Sequence, residues 1–153
     1  MEIFFVDYIN NLQELHDDIR TALVGLPQAA LDWAPGPDTN SLNVLVTHLT
    51  GAERYWLGDV IAGEPSGRDR EAEFRVRGLT IDSLVQRLND IESLAQRVLA
   101  ALSLIDLEAT RVSPRNGRQV TVAWALDHAL KHTALHLGQI QLTRQLWEQT
   151  HPG

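Results

Sequence analysis

The sequence predicts an all-α protein, a four-helix bundle with at most a short β-hairpin before the last helix. Three observations carry that prediction. Four long stretches repeat apolar side chains at spacings of three and four, Gly and Pro gather between them, and no strand pattern alternates with a helical one. With 153 residues the chain has the length for one core, so residues 1–153 are read as a single domain.

The first helix is expected over 3–24, where Phe4, Phe5, Tyr8, Leu12, Leu15, Ile19 and Leu23 recur by threes and fours until Gly25 and Pro27 end the pattern. Gly25 to Asn40 reads as a connection, with room for one short helical turn at Ala29–Trp33. Ser41 suits the cap of a second helix running to Ala62, whose buried stripe is Leu42, Leu45, Val46, Leu49, Ala52, Trp56 and Val60. Residues 63–78 are charged and lack periodicity, which predicts a mobile loop crossing one end of the bundle. Thr80 opens a third helix to Leu102, with the most regular apolar stripe in the chain (Ile81, Leu84, Val85, Leu88, Ile91, Ala95, Val98). Asn116-Gly117, between Thr110–Val112 and Val120–Val122, favours a tight hairpin turn. The fourth helix, from Val122 to Trp147, carries Leu126, Leu130, Leu135, Leu137, Ile140 and Leu142 on nearly every side and is predicted to lie at the centre of the core.

Composition narrows the function. A net charge of −7 without a dense Lys/Arg cluster argues against nucleic acid, whose affinity comes from cationic side chains displacing counterions. No segment approaches the roughly 18 apolar residues of a membrane span, and Met1-Glu2-Ile3-Phe4-Phe5 followed by Asp7 does not read as a secretion signal. The chain has no cysteine, which removes disulfides, thiolate ligands and a cysteine nucleophile together. A cytoplasmic location and a small-molecule substrate are the resulting expectations.

The chemistry is concentrated in histidines. His128, His132 and His136 follow one another at four-residue steps, each about 40° round the helix from the last, and share a face with the small or polar Ala125, Ala129, Gln139 and Thr143. A single histidine on such a helix is ordinarily a core residue with bonded ring nitrogens. Three in register are different, because each desolvated ring nitrogen costs free energy that a bound cation relieves. Two histidines four apart can share a metal, and a third ligand has to come from another helix; His48, at the edge of the second helix's stripe, is the candidate. Imidazoles suit zinc, nickel, iron or copper better than magnesium or calcium, and three protein ligands leave a coordination position open for water or substrate. His16, among Glu14, Asp17 and Asp18, and His151, beside Pro152, read as solvated. Glu53 lies about 140° round from His48, which predicts a tie between helices or an ion pair with Arg54 instead of a ligand. Trp33, Trp56, Trp124 and Trp147 read as packing residues.

The segments Ser41-Leu42-Asn43-Val44-Leu45-Val46-Thr47-His48-Leu49 with Glu53 and Trp56, then Trp124-Ala125-Leu126-Asp127-His128 and His132-Thr133-Ala134-Leu135-His136-Leu137-Gly138-Gln139-Ile140, resemble the DinB superfamily of metal-binding four-helix bundles. That superfamily includes bacillithiol- and mycothiol-dependent transferases and the metal-binding domain of maleylpyruvate isomerase. The resemblance, which extends to its YfiT-like members, implies an up-down-down-up bundle, a His48, His132 and His136 triad, and a homodimer. It leaves His128, with Gln139, as a pocket residue beside the ligands. Leu137 departs from the pattern, since the family often has a basic residue there.

The function this implies is transfer of a small thiol, bacillithiol or mycothiol, to an electrophile at a divalent metal, zinc or nickel foremost, with iron or manganese as further options. A divalent cation lowers the pKa of a bound thiol as it does that of water, and arginines of the 63–77 loop are placed to meet a substrate carboxylate. Metal-dependent hydrolysis is the alternative within the enzyme class. A non-catalytic structural or stress-response metal protein is the alternative outside it, distinguished by a closed coordination shell.

Overall fold

The computed structural model describes residues 1–153. Its helices are α1 (Ile3–Leu23), the short α2 (Gln28–Asp32), α3 (Leu42–Arg54), the single turn α4 (Arg70–Glu73), α5 (Ile81–Ala100) and α6 (Val122–Thr150). α3 continues as a π-helical stretch, Tyr55–Ala62, and a 3₁₀ turn at Leu104–Glu108 precedes strands β1 (Thr110–Val112) and β2 (Gln119–Thr121). Hydroxyl caps start three of the long helices: Ser41 accepts from the Val44 amide, Thr80 from Ser83 and Thr121 from Trp124, each bond stabilising its helix by about 1 kcal/mol. The π-helical stretch ends at Gly63, whose φ of 70° is left-handed and suits a residue without Cβ.

α1, α3, α5 and α6 form the bundle, with α1 and α3 each packed against both α5 and α6. Consecutive long helices (α1 and α3, α5 and α6) therefore sit on diagonals. The interior holds two apolar clusters. One gathers Phe5, Leu12, Leu57, Leu99 and Leu126, the other Ile19, Leu23, Leu49, Leu84 and Ile140; each of these buried side chains contributes roughly 1.5–3 kcal/mol. Along α1 and α6 the first cluster precedes the second, while along α3 and α5 the order is reversed. The helices thus run up, down, down, up.

Between the clusters lies a polar layer with one contribution from each long helix: His16, Glu53, Glu92 and Thr133. His16 and Glu53 are 0 and 1% exposed. His16 Nδ1 stands 2.9 Å from Glu92 Oε1 and its Nε2 3.0 Å from Glu53 Oε1, while the Thr133 hydroxyl donates to Glu53 at 2.5 Å. The solvated reading of His16 is wrong. Its acidic sequence neighbours point outward, whereas His16 lies four residues after Leu12 and three before Ile19, on the buried stripe. Glu53 does tie helices together, through His16 and Thr133, and Arg54 instead reaches Asp59 and the Glu64 carbonyl.

Three further expectations change. Because α3 and α5 run the same way, the chain between them has to travel back along the bundle; it packs against α3 through α4, and Glu73 is buried. It is a return stroke, not a loop across one end. The hairpin pairs Thr110 with Thr121 and Val112 with Gln119, but its turn is wider than two residues: Ser113 N donates to Arg118 O, and pairing opens at Pro114, which has no amide proton. Finally, α6 is not covered on all sides, since Leu135 and Leu142 are 62 and 54% exposed. No helix is long and apolar enough to cross a membrane.

Candidate metal centre

α3 and α6 pack side by side, and His48 from the first meets His132 and His136 from the second. His132 Nε2 lies 3.2 Å from His48 Nε2 and 3.1 Å from His136 Nε2, and the three candidate ligand atoms fall within 4.8 Å of one another. Nitrogens bound tetrahedrally at about 2.0–2.1 Å from a zinc ion stand roughly 3.3 Å apart, so the observed spacing fits one ion.

The outer ring nitrogens explain the orientation. His48 Nδ1 donates to Glu73 Oε1 at 3.0 Å and His136 Nδ1 donates to Gln139 Oε1 at 2.6 Å. Both oxygens only accept, so the protons sit on Nδ1 and the Nε2 lone pairs turn inward, the arrangement that metal-binding imidazoles share. His132 is pushed down to about 3, first by burial and then by His136, His48, His128 and Arg68, and is therefore neutral at pH 7. Burial also lowers His136, a push that outweighs the opposing bond from Gln139. The three rings thus face one another with their Nε2 atoms converging. His132 Nδ1 is buried without a partner, the position left for its proton when Nε2 serves as a ligand. Donor chemistry, spacing and this orphaned atom all fit a divalent transition metal.

Glu73 is held in turn. Arg68 reaches it with two bonds, Nε to Oε2 at 2.7 Å and Nη2 to Oε1 at 2.8 Å. Burial opposes its ionisation, but the bonds from Arg68 and His48 and the charge of Arg68 outweigh it and keep the carboxyl below the usual carboxylate range. The carboxylate lies over Gly51, one turn along α3 from His48, where a Cβ would overlap the Glu73 carboxylate. Sequence reasoning missed Glu73, Arg68 and Gly51. Nothing local marks them, because Glu73 meets His48 across the return stroke.

His128 is not part of the convergent group. Its ring stacks on Trp124 at 4.7 Å and 12°, and lies 6.1 Å from His132, while Trp56 meets it edge-on at 5.0 Å. Burial first, then Lys131 and Arg118, lower its pKa. Trp56 and Trp124 therefore pack beside the site as well as against the core. Phe74 covers His48 on another side, with ring centroids 4.9 Å apart. His151 is exposed, as expected, and stacks on Trp147 at 3.6 Å, remote from the triad in sequence and contacts. No aspartate or glutamate joins the three histidines as a fourth ligand; the nearby carboxylate, Glu73, is engaged with Nδ1. His132 and His136 are half-buried, so the cluster opens toward solvent.

Among solved structures, a conserved protein from Enterococcus faecalis shares 17% identity over 95% of this chain and 97% of its own, with a TM-score of 0.75. YfiT from Bacillus subtilis, described as a probable metal-dependent hydrolase with an unusual four-helix bundle topology, shares 15% identity over 98% of this chain and 89% of its own, TM-score 0.75. A DinB-like protein from Bacillus cereus shares 14% identity over 94 and 90%, TM-score 0.72. At these identities the likeness is one of fold. No curated protein matches the chain. The family model described as mycothiol-S-transferase matches residues 8–149, a span that takes in most of the four bundle helices and every histidine of the triad, and the chain belongs to that family.

Proposed function

We propose that this protein is a metal-dependent transferase that moves a low-molecular-weight thiol to an electrophile, with His48, His132 and His136 as metal ligands. The observation that carries the reading is the convergence of three imidazoles, with His132 Nε2 3.2 Å from His48 Nε2 and 3.1 Å from His136 Nε2, their lone pairs aimed at a common point and no fourth protein ligand. A structural zinc site closes its shell with protein; a catalytic one keeps a position for substrate. A divalent ion held there supplies Lewis acidity that generates a nucleophile from a bound thiol at neutral pH. The chain's own residues do the rest. Glu73 and Gln139 fix the protons of His48 and His136 on the outer nitrogens, and Phe74, Trp56, Trp124 and His128 wall the site with apolar and aromatic surface that limits water. The lack of cysteine accords with a sulfur that arrives on the cosubstrate, mycothiol or bacillithiol in this proposal, and zinc or nickel is the proposed ion.

The test is metal analysis by mass spectrometry of chelator-treated, reconstituted protein, followed by turnover of a fluorogenic bimane with each thiol. Stoichiometric metal and thiol-dependent conjugation support the reading; a wild-type protein that takes up no metal sinks it. Hydrolysis is the second reading, favoured by what the Bacillus subtilis relative is described as; metal-dependent turnover of esters or amides with no thiol present distinguishes it. The same proposal includes a homodimer in the cytoplasm, supported by the exposed Leu135 and Leu142 on α6, with light scattering as the check on assembly.

A further inference from the structure

A cavity of about 570 Å³ opens between the return stroke and the hairpin turn, with Tyr55 at its back and Arg68, Arg70 and Arg115 on its walls. Its volume falls within the range of small-molecule sites. Its uncommitted charge is cationic, on a chain whose net charge is −7. Three carboxylates also line it, but each is accounted for. Asp59 accepts from Arg54 at 3.1 Å and from Ser66 at 2.9 Å, and Asp69 caps α4 by accepting from the Ala72 amide at 3.0 Å. Glu71 is 76% exposed and 3.7 Å from Arg70, a solvent-screened contact that leaves the guanidinium available. Arg115 is exposed and has no carboxylate partner, while its backbone amide is pinned to Tyr55 Oη at 3.2 Å. Tyr55 Oη also pairs with Ser113 Oγ at 2.6 Å, so the turn that carries Arg115 is tied to α3's continuation.

Two routes join this cavity to the triad. Arg68, on its wall, grips Glu73, which grips His48. Arg70 lies over the Phe74 ring at 4.9 Å, and that ring covers His48 at 4.9 Å. Two of the cavity's arginines are thus linked to His48, each through one intervening side chain.

We propose that this cavity binds the carboxylate-bearing end of a small-molecule substrate through Arg70 and Arg115, with Arg68 fixing the wall between them; that the far end reacts at the triad rests on the thiol-transfer reading. The two free guanidiniums offer planar, charge-assisted donors, the chemistry that recognises carboxylates. The thiol and the electrophile are both possible carriers of that group.

The test uses the full-length protein, with succinate as the probe and its neutral diamide as the control, followed by NMR shifts of the Gly67–Glu71 and Arg115 amides. Saturable succinate shifts are expected in wild type. They are expected to weaken by about tenfold per guanidinium removed in R70Q and R115Q, to be absent with the diamide, and to persist in H132A, which breaks the triad and leaves the cavity intact. Arg115 is exposed and Arg70 half-buried, and an unchanged amide spectrum elsewhere shows that the variants fold. Absence of saturation, or equal binding by R70Q/R115Q, overturns the proposal. Loss of the shifts in H132A also overturns it, by placing succinate on the metal instead. Failure of wild type to take up metal, by contrast, leaves the succinate arm running and counts only against the thiol-transfer reading. Where turnover is measurable, R115Q is expected to raise KM for the cosubstrate that carries the carboxylate, which tells thiol from electrophile; a fall in kcat with both KM values unchanged contradicts the assignment.

Discussion

His132 and Thr133 are neighbours on α6, yet they belong to opposite uses of histidine at the same level of the bundle. Inward, Thr133 joins the layer where His16 faces two carboxylates, Glu53 and Glu92. Outward, His132 faces only other imidazoles. Both nitrogens of His16 meet acceptors, so the ring is held as a two-donor cation; burial lowers its pKa, but the charges and bonds of Glu53 and Glu92 outweigh that and raise it. At the triad nothing anionic faces the inner nitrogens, and burial together with neighbouring rings keeps His132 neutral. A histidine's role is set by what its nitrogens face more than by how deeply it lies.

Substitution at each cluster should separate binding from stability. In the triad, His132→Ala is expected to take metal content from about one equivalent to near none, with the apo protein's stability little changed; retention of metal by His48→Ala, His132→Ala and His136→Ala alike would break the comparison. In the buried layer, His16→Ala leaves Glu53 without its cation and should cost about 3–5 kcal/mol in urea unfolding, while the folded fraction still binds metal. A loss under 1 kcal/mol would show that the layer is already wet or uncharged.

The two clusters also predict opposite pH dependence in the apo protein. His16 has a raised folded pKa, so its contribution is complete below the unfolded value of about 6.5 and is lost as pH rises through the folded value. His132 is lowered to about 3, so the unfolded chain takes up its proton more readily, and stability falls as pH drops from about 6.5 toward 3. Unfolding midpoints across pH should show the alkaline limb flattened in His16→Asn and the acid limb eased in His132→Ala. Identical profiles for the two variants would contradict the assignment.

The bundle and two of its caps were legible in the sequence because periodicity and Ser41 and Thr80 act locally, whereas Thr121, which caps α6, was read only as part of the hairpin. The convergence of three histidines was legible because a four-residue step places His132 and His136 together on any helix. His16 was misread from its chain neighbours, although its spacing from Leu12 and Ile19 placed it on the buried stripe. Glu73 was out of reach for a different reason. Its pairing with His48 depends on the direction in which α5 runs, and therefore on the path of the return stroke, which no local pattern encodes.

A smaller effect tests that pairing. Glu73→Gln should weaken metal binding by about 10–100-fold, the usual consequence of losing a carboxylate behind a metal-bound imidazole, without the stability loss of His16→Ala. Gly51→Ala should move affinity in the same direction by displacing Glu73. Competition with a chromogenic chelator measures both, and wild-type affinity in both variants would show that Glu73 is only a surface anchor for the return stroke.

The separation of 84 residues between His48 and His132 has a consequence in time. His48, the first of the proposed ligands, leaves the ribosome with α3, but its partners are made only with α6, after synthesis at roughly 5–20 residues per second has supplied the intervening chain. During synthesis the emerging chain has one imidazole of the triad and lacks the other two. Loading is therefore a step that follows translation of α6, governed by metal availability at that moment and not by any earlier folding event.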